Sequence, residues 1–250
     1  MLALPIKPHG VRWIAALCLA CAVLVADLRT SHAALSISAT RVVLASDKRS
    51  VALVVSNPSD RPFAVQTWVN TAADDDSSAV PLIATPPLFR LDPGKEQQVQ
   101  INGLPNDLPH DRESLFYFNV QEIPQAAGDS NVLNIALRTR IKLFYRPASL
   151  KDSPMARLPD LQWSIEQVNG QVHLVAHNPS PFHVSFARLE VQGHGKTEQL
   201  KAADMLEPLA TRRYRLSATR PGAGLAVVYT AINDYGGSSL PITLPIRVSP

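Results

Sequence analysis

The chain carries one pattern twice. Val55–Phe63 (VSNPSDRPF) is a strand-like run that meets an Asn-Pro turn and leaves through Pro-Phe, and Ala176–Phe182 (AHNPSPF) repeats it 121 residues later. Leu91, Asp92 and Pro93, followed by Val99 and Ile101, return as Leu206, Glu207 and Pro208, followed by Tyr214 and Leu216, at an offset of 115. Asn-Pro marks a turn, and a turn that recurs between alternating runs marks a recurring supersecondary unit. Two related all-β domains of about 100 residues each follow, the size of an immunoglobulin-like sandwich.

The periodicity agrees. Leu35 and Ile37 alternate with Ser36 and Ser38, and Val51, Leu53 and Val55 alternate with Ala52, Val54 and Ser56, the period of two expected of strands. Further strands are expected at 64–70, 97–102, 115–123, 132–144, 172–176, 183–191, 212–216, 225–233 and 242–248. The 21 prolines against 11 glycines suit short strands joined by turns and exclude a coiled coil or a long helix. Pro147, Pro154 and Pro159 interrupt the pattern, so the domains are expected at 34–150 and 151–250.

Residues 1–33 read as a secretory signal peptide. Lys7, His9 and Arg12 precede an apolar run from Trp13 to Ala26, and Ser31-His32-Ala33 suits cleavage after Ala33. The run is shorter than the roughly 20 residues a membrane span needs, so no integral span is expected. Both cysteines, Cys18 and Cys21, lie in this leader, where they read as apolar filler; lipidation of Cys21 is the weaker reading. The mature chain would hold no disulfide. Cleavage also removes three cations and one acid, which lowers the formal charge from +3 to +1 and removes the case for nucleic acid.

Catalytic and metal chemistry find little support. His110, Asp111 and Ser114 share one short segment, which cannot aim all three at one reacting atom. His173 and His177 would stand about 13 Å apart on a strand, too far to share a metal. Asp74, Asp75 and Asp76 lack the spaced ligands and turn glycine of a calcium loop, and read as a solvated loop. No enzyme, metal or cofactor is expected.

Four segments together resemble the periplasmic pilus (fimbrial) chaperones, in that family's order. They are Thr40-Arg41, Leu108–Pro124 (LPHDRESLFYFNVQEIP), Ile141–Pro147 (IKLFYRP) and Ile232–Gly237 (INDYGG). The resemblance implies two immunoglobulin-like β-sandwich domains arranged in an L with an interdomain cleft. It also implies a periplasmic, non-enzymatic chaperone that binds pilus subunits one to one by donor-strand complementation and delivers them to an outer-membrane usher. A secreted two-domain sandwich acting as a carbohydrate-binding or adhesion module is the alternative.

By the same resemblance, the lent edge strand is Asn131–Arg140, whose Leu133, Ile135 and Leu137 would enter the subunit's groove. Arg41 and Lys142 would hold the subunit's C-terminal carboxylate, both facing solvent in the free cleft, and Glu113, Arg146 and Asp234 would join the domains. Lys142 has the opposite parity to Leu133, Ile135 and Leu137, so either a bulge intervenes or the lysine works from the other face. Arg138 and Arg140 read as solvated edge residues that discourage self-pairing of an exposed strand, through which the free protein could associate with itself. The seven residues 125–131 make a short loop like that of the subgroup serving thicker, rigid pili.

Overall fold

In a computed structural model of the chain, residues 35–75, 77–124 and 135–248 are described. The leader with Cys18 and Cys21, Asp76, the 125–131 loop and Leu133 lie outside the described residues. All described residues belong to one compact unit.

The first sandwich is built from β1 (Ser36–Ile37), β2 (Arg41–Ala45), β3 (Ser50–Ser56), β4 (Phe63–Asn70), β5 (Leu82–Thr85), β6 (Leu88–Leu91), β7 (Glu96–Gly103), β8 (Ser114–Pro124) and β9 (Arg138–Arg146). One sheet has the order β1-β3-β7-β5 and the other β2-β9-β8-β4-β6. The first strand therefore changes sheets: Ile37 pairs with Val55 of β3, and from Arg41 onward the chain runs parallel to β9. Alternate side chains of both sheets, including Leu44, Val55, Val65, Val99, Ile101, Phe118 and Leu143, fill the core between them.

A 3-10 turn, Pro154–Asp160, begins the second sandwich, and its Leu158 carbonyl accepts from the buried Tyr229 hydroxyl (2.6 Å). Strands β10 (Gln162–Val168), β11 (Gln171–His177), β12 (Phe186–Gly193), β13 (Lys196–Gln199), β14 (Thr211–Leu216), β15 (Ala226–Ala231), β16 (Ile242–Pro245) and β17 (Arg247–Val248) follow. They form the sheets β14-β11-β10-β17 and β13-β12-β15-β16. Trp163, Leu174, Leu189, Leu206, Val227 and Tyr229 lie in the core between them.

The sequence repeat is a repeated piece of hydrogen bonding. Asn57 is buried and donates through Nδ2 to the carbonyls of Arg61 (2.7 Å) and Leu91 (3.0 Å), while its Oδ1 accepts from the Ser59 amide and hydroxyl. Asn178, also buried, donates to Phe182 (2.7 Å) and Glu207 (2.9 Å) and accepts from Ser180 in the same way. In each sandwich, then, one repeated segment closes onto the other. A buried amide with all its partners met is costly to replace, which accounts for the same residue at both corners.

Several expected strands appear with their ends moved by a residue or so. Of the run expected at 132–144, the described part becomes a strand at Arg138, and the run expected at 183–191 begins at Phe186, with a register shift between Phe186 and Arg188. Strands β2, β5, β6, β10 and β13 were not among those expected.

Candidate functional site

The residue parity of β9 divides its side chains between two tasks. Odd positions Ile141 and Leu143 point into the first core. The even positions from Lys142 onward face the second sandwich: Lys142 Nζ donates to Ser185 Oγ (3.0 Å), the Phe144 ring lies 5.3 Å from that of His183, and Arg146 binds Asp234. Ile135 and Leu137, which precede β9 and share that odd parity, are 59% and 54% exposed. The Leu137 carbonyl still accepts from the Glu122 amide (3.0 Å), so the ladder with β8 persists there, and the β8–β9 register runs without a shift from Tyr145 to Arg138. Between Arg138 and Tyr145, then, no bulge intervenes, and Lys142 lies on the face opposite Ile141 and Leu143.

β9 has neighbours on both sides over only part of its length. Arg41 pairs with Lys142 and Ala45 with Arg146, so β2 covers one edge from Lys142 onward. From Arg138 to Ile141, β8 is the only neighbouring strand among the described residues. The covered edge gives way to the open one at Arg41 and Lys142.

These two cations are half-buried rather than solvent-facing, a correction to the sequence expectation. β2 and β9 carry them on the face turned to the second sandwich, where Arg41 Nη1 donates to the Ile232 carbonyl (3.0 Å) and its guanidinium lies over Phe144. Among the described residues no carboxylate forms an ion pair with either, and Arg41 Nε is buried without a hydrogen-bond partner. Burial lowers the Lys142 pKa and the neighbouring Arg41 lowers it further; burial likewise lowers that of Arg41, opposed by the more distant Asp234 and Glu113. Two adjacent cations with unspent donors are suited to a carboxylate, which can accept from both.

Beside them the structure brings Glu113, Arg146 and Asp234 together. Arg146 Nε donates to Glu113 Oε1 (2.7 Å), and Nη1 and Nη2 fork onto Asp234 at 2.7 and 2.8 Å. The second Glu113 oxygen accepts from the His183 amide (2.8 Å) and its ring Nδ1 (3.1 Å), a partner that the sequence did not reveal. Burial alone would lower the Arg146 pKa, but the hydrogen bonds of Asp234 and the charge of Glu113 raise it. Close by, Gly236 at φ +87° leaves no room for a side chain, because an added Cβ would stand 2.3 Å from Thr40 Oγ1.

Other expectations need amendment. Arg138 and Arg140 are not free edge residues: their guanidinium groups lie over the rings of Trp68 (4.8 Å) and Tyr117 (3.9 Å), and both bond to the chain following β4. Asp74 is an exposed loop residue, as expected, but it is not free: hydrogen bonds from Arg138 and then Asn70 hold its carboxyl below the usual range. Asp111 is taken up by Arg112, His177 bonds to Thr211, and among the described residues no cluster of three metal-ligating side chains occurs. No helix among them is long and apolar enough to cross a membrane.

Comparison with known proteins places the chain among chaperones. Residues 34–151 match the family model "Pili and flagellar-assembly chaperone, PapD N-terminal domain", and 157–241 match "Pili assembly chaperone PapD, C-terminal domain". The probable fimbrial chaperone YadV of Escherichia coli K12 is 36% identical over 219 residues, 84% of this chain and 89% of the relative. The Escherichia coli chaperone protein PapD is 37% identical over 211 residues, 83% of this chain and 84% of the relative. In structure, the crystallised YadV chaperone matches with a TM-score of 0.74, covering 85% of this chain and all of that one. The SafB chaperone of Salmonella enterica, solved with the SafA pilin, matches at 29% identity with a TM-score of 0.73, covering 87% and 98%. These matches do not favour an adhesion or carbohydrate-binding module.

Proposed function

Because the chain belongs to the pilus-assembly chaperone family, we propose that it captures a pilus subunit on the open edge of β9 and holds the subunit's C-terminal carboxylate between Arg41 and Lys142. The observation that carries this reading is the place where β2 begins. A strand laid along Arg138–Ile141 in the direction of β9 would run toward Arg41 and finish at the cation pair with its carboxylate. The opposite direction would bring an N-terminal ammonium to two like charges. One fixed end point sets the register of an otherwise repetitive backbone pairing, and a charge-assisted hydrogen bond contributes roughly 1.5–3 kcal/mol toward it.

Ile135 and Leu137 then supply the side chains, with Leu133 as the expected third. Exposed and on one face, they suit an apolar groove in a subunit that lacks a strand. The SafA–SafB complex supports a pilin as the partner. Glu113, Arg146 and Asp234, with His183, fix the junction at which Arg41 and Lys142 sit. The remaining assignments follow from this role: export by residues 1–33 to the periplasm, no catalysis, one-to-one binding, hand-over to an outer-membrane usher, and self-association through the open edge when no subunit is bound.

Co-purification from periplasm tests the core of the reading. The wild-type chain should retain a co-expressed pilin, and neither the Arg41→Ala, Lys142→Ala double variant nor a pilin extended beyond its natural C-terminus should give a complex. Undiminished yield in both cases would overturn carboxylate anchoring.

A further inference from the structure

We propose that Asp74 and Arg138 form a clamp that pre-organises the open edge of β9, making them positioning residues for strand lending; the inference rests on the capture reading above. Arg138–Ile141 have a strand on one side only among the described residues. A strand paired on one side opens locally more readily than one held between neighbours, and each opening must be reversed before a partner can pair.

The compensation lies on the face opposite Ile135 and Leu137. Arg138 sits over Trp68 of β4, donates through Nε (3.0 Å) and Nη2 (2.6 Å) to Asn119 Oδ1 of β8, and forks onto Asp74 through Nη1 (3.1 Å) and Nη2. Asp74 is held at φ +59° with Asn70 Nδ2 on its Oδ1 (2.5 Å), and the buried Asn70 and Asn119 bond to each other (3.0 Å). Arg140, stacked on Tyr117, donates to the Thr71 carbonyl (2.5 Å) at the start of the same loop. The open edge is thus tied across β8 and β4 to a loop 64 residues away, and none of these bonds uses the side chains to be lent.

Forked arginine bonds and a cation over an aromatic face both restrict motion more than a lone exposed pair does. A strand already fixed in extended form spares the complex the cost of ordering it. The clamp should therefore appear in binding more than in global stability.

The test uses Asp74→Asn, Arg138→Gln and the double variant of the full chain, with Arg138→Lys as the conservative change. Hydrogen exchange of the Thr139 and Ile141 amides, which point at β8, should quicken about tenfold in each single variant while the thermal midpoint stays close to wild type. Affinity for a co-expressed pilin should fall about tenfold, the double variant should lose no more than either single one, and Arg138→Lys should recover only part. Unchanged exchange, or faster exchange with undiminished pilin affinity, would overturn the clamp. If the wild-type chain captures no pilin, the capture reading fails, and the exchange rates still decide whether the clamp exists.

Discussion

Arg41 and Lys142 are direct partners in the parallel pairing of β2 and β9, so two cations occupy neighbouring sites on one face of one sheet. Neither has an ion-pair partner among the described residues, and their polar contacts are a carbonyl and a hydroxyl. Such a pair costs the free protein stability: each charge is partly desolvated and each raises the energy of the other. A carboxylate bound there, as proposed, would offset both penalties together.

Replacing Lys142 by Met should therefore separate stability from binding. A lysine whose folded pKa lies below its unfolded value lowers stability at neutral pH, and the loss is relieved as pH rises from the folded pKa toward the unfolded one. The variant should be as stable as wild type or more so by up to about 1 kcal/mol in urea at pH 7, with the difference shrinking at alkaline pH. Its pilin capture should nevertheless be lost. A variant destabilised by more than that would show that Lys142 holds the fold.

Ile135→Asp should weaken pilin capture with little change in the thermal midpoint. The side chain is 59% exposed in the free chain, so its loss removes little packing, whereas a carboxylate carried into an apolar groove must be desolvated. Equal affinities of variant and wild type in a titration with purified pilin would argue against strand lending.

What the sequence made legible follows from how local each signal is. Alternation along β9 showed in advance which of its residues share a face, and the Asn-Pro repeat showed that two sandwiches share one plan. The cation pair depends instead on the strand that carries Arg41, and this strand is five residues long with no clear alternation of type (RVVLA). His183 follows the repeated Pro-Phe, but nothing in the repeat indicated that its ring and amide would meet Glu113, 70 residues away. The Asp74–Arg138 contact spans 64 residues, beyond the reach of any local pattern, so two bonded residues looked like separate solvated ones.

The junction network should rank its members by burial. Side-chain exposure is 2% at Glu113, 16% at Arg146 and 32% at Asp234. Arg146→Ala leaves two carboxylates without their shared cation and should cost about 3 kcal/mol, whereas Asp234→Asn keeps a polar partner at a wetter site and should cost about 1 kcal/mol. Urea unfolding of both variants checks the order, and a larger loss at Asp234 would contradict it.

Glu198 gives an acid-range test independent of the binding site. Burial would raise its carboxyl, but hydrogen bonds from the Ser217 amide, the Thr219 and Ser217 hydroxyls and the Ala218 amide bring it to about 2. The carboxylate pins residues 217–219, just past β14, to β13. A carboxyl with a depressed folded pKa contributes stability that is present above its unfolded value and lost as pH falls toward the folded one. Glu198→Gln should therefore cost about 1 kcal/mol at pH 7, discounted for partial exposure, and the gap to wild type should close as pH drops from 4.5 toward 2. Urea midpoints of the two proteins measured across that range decide it; a gap that stays constant with pH would mean that the side chain acts through packing and not through its charge.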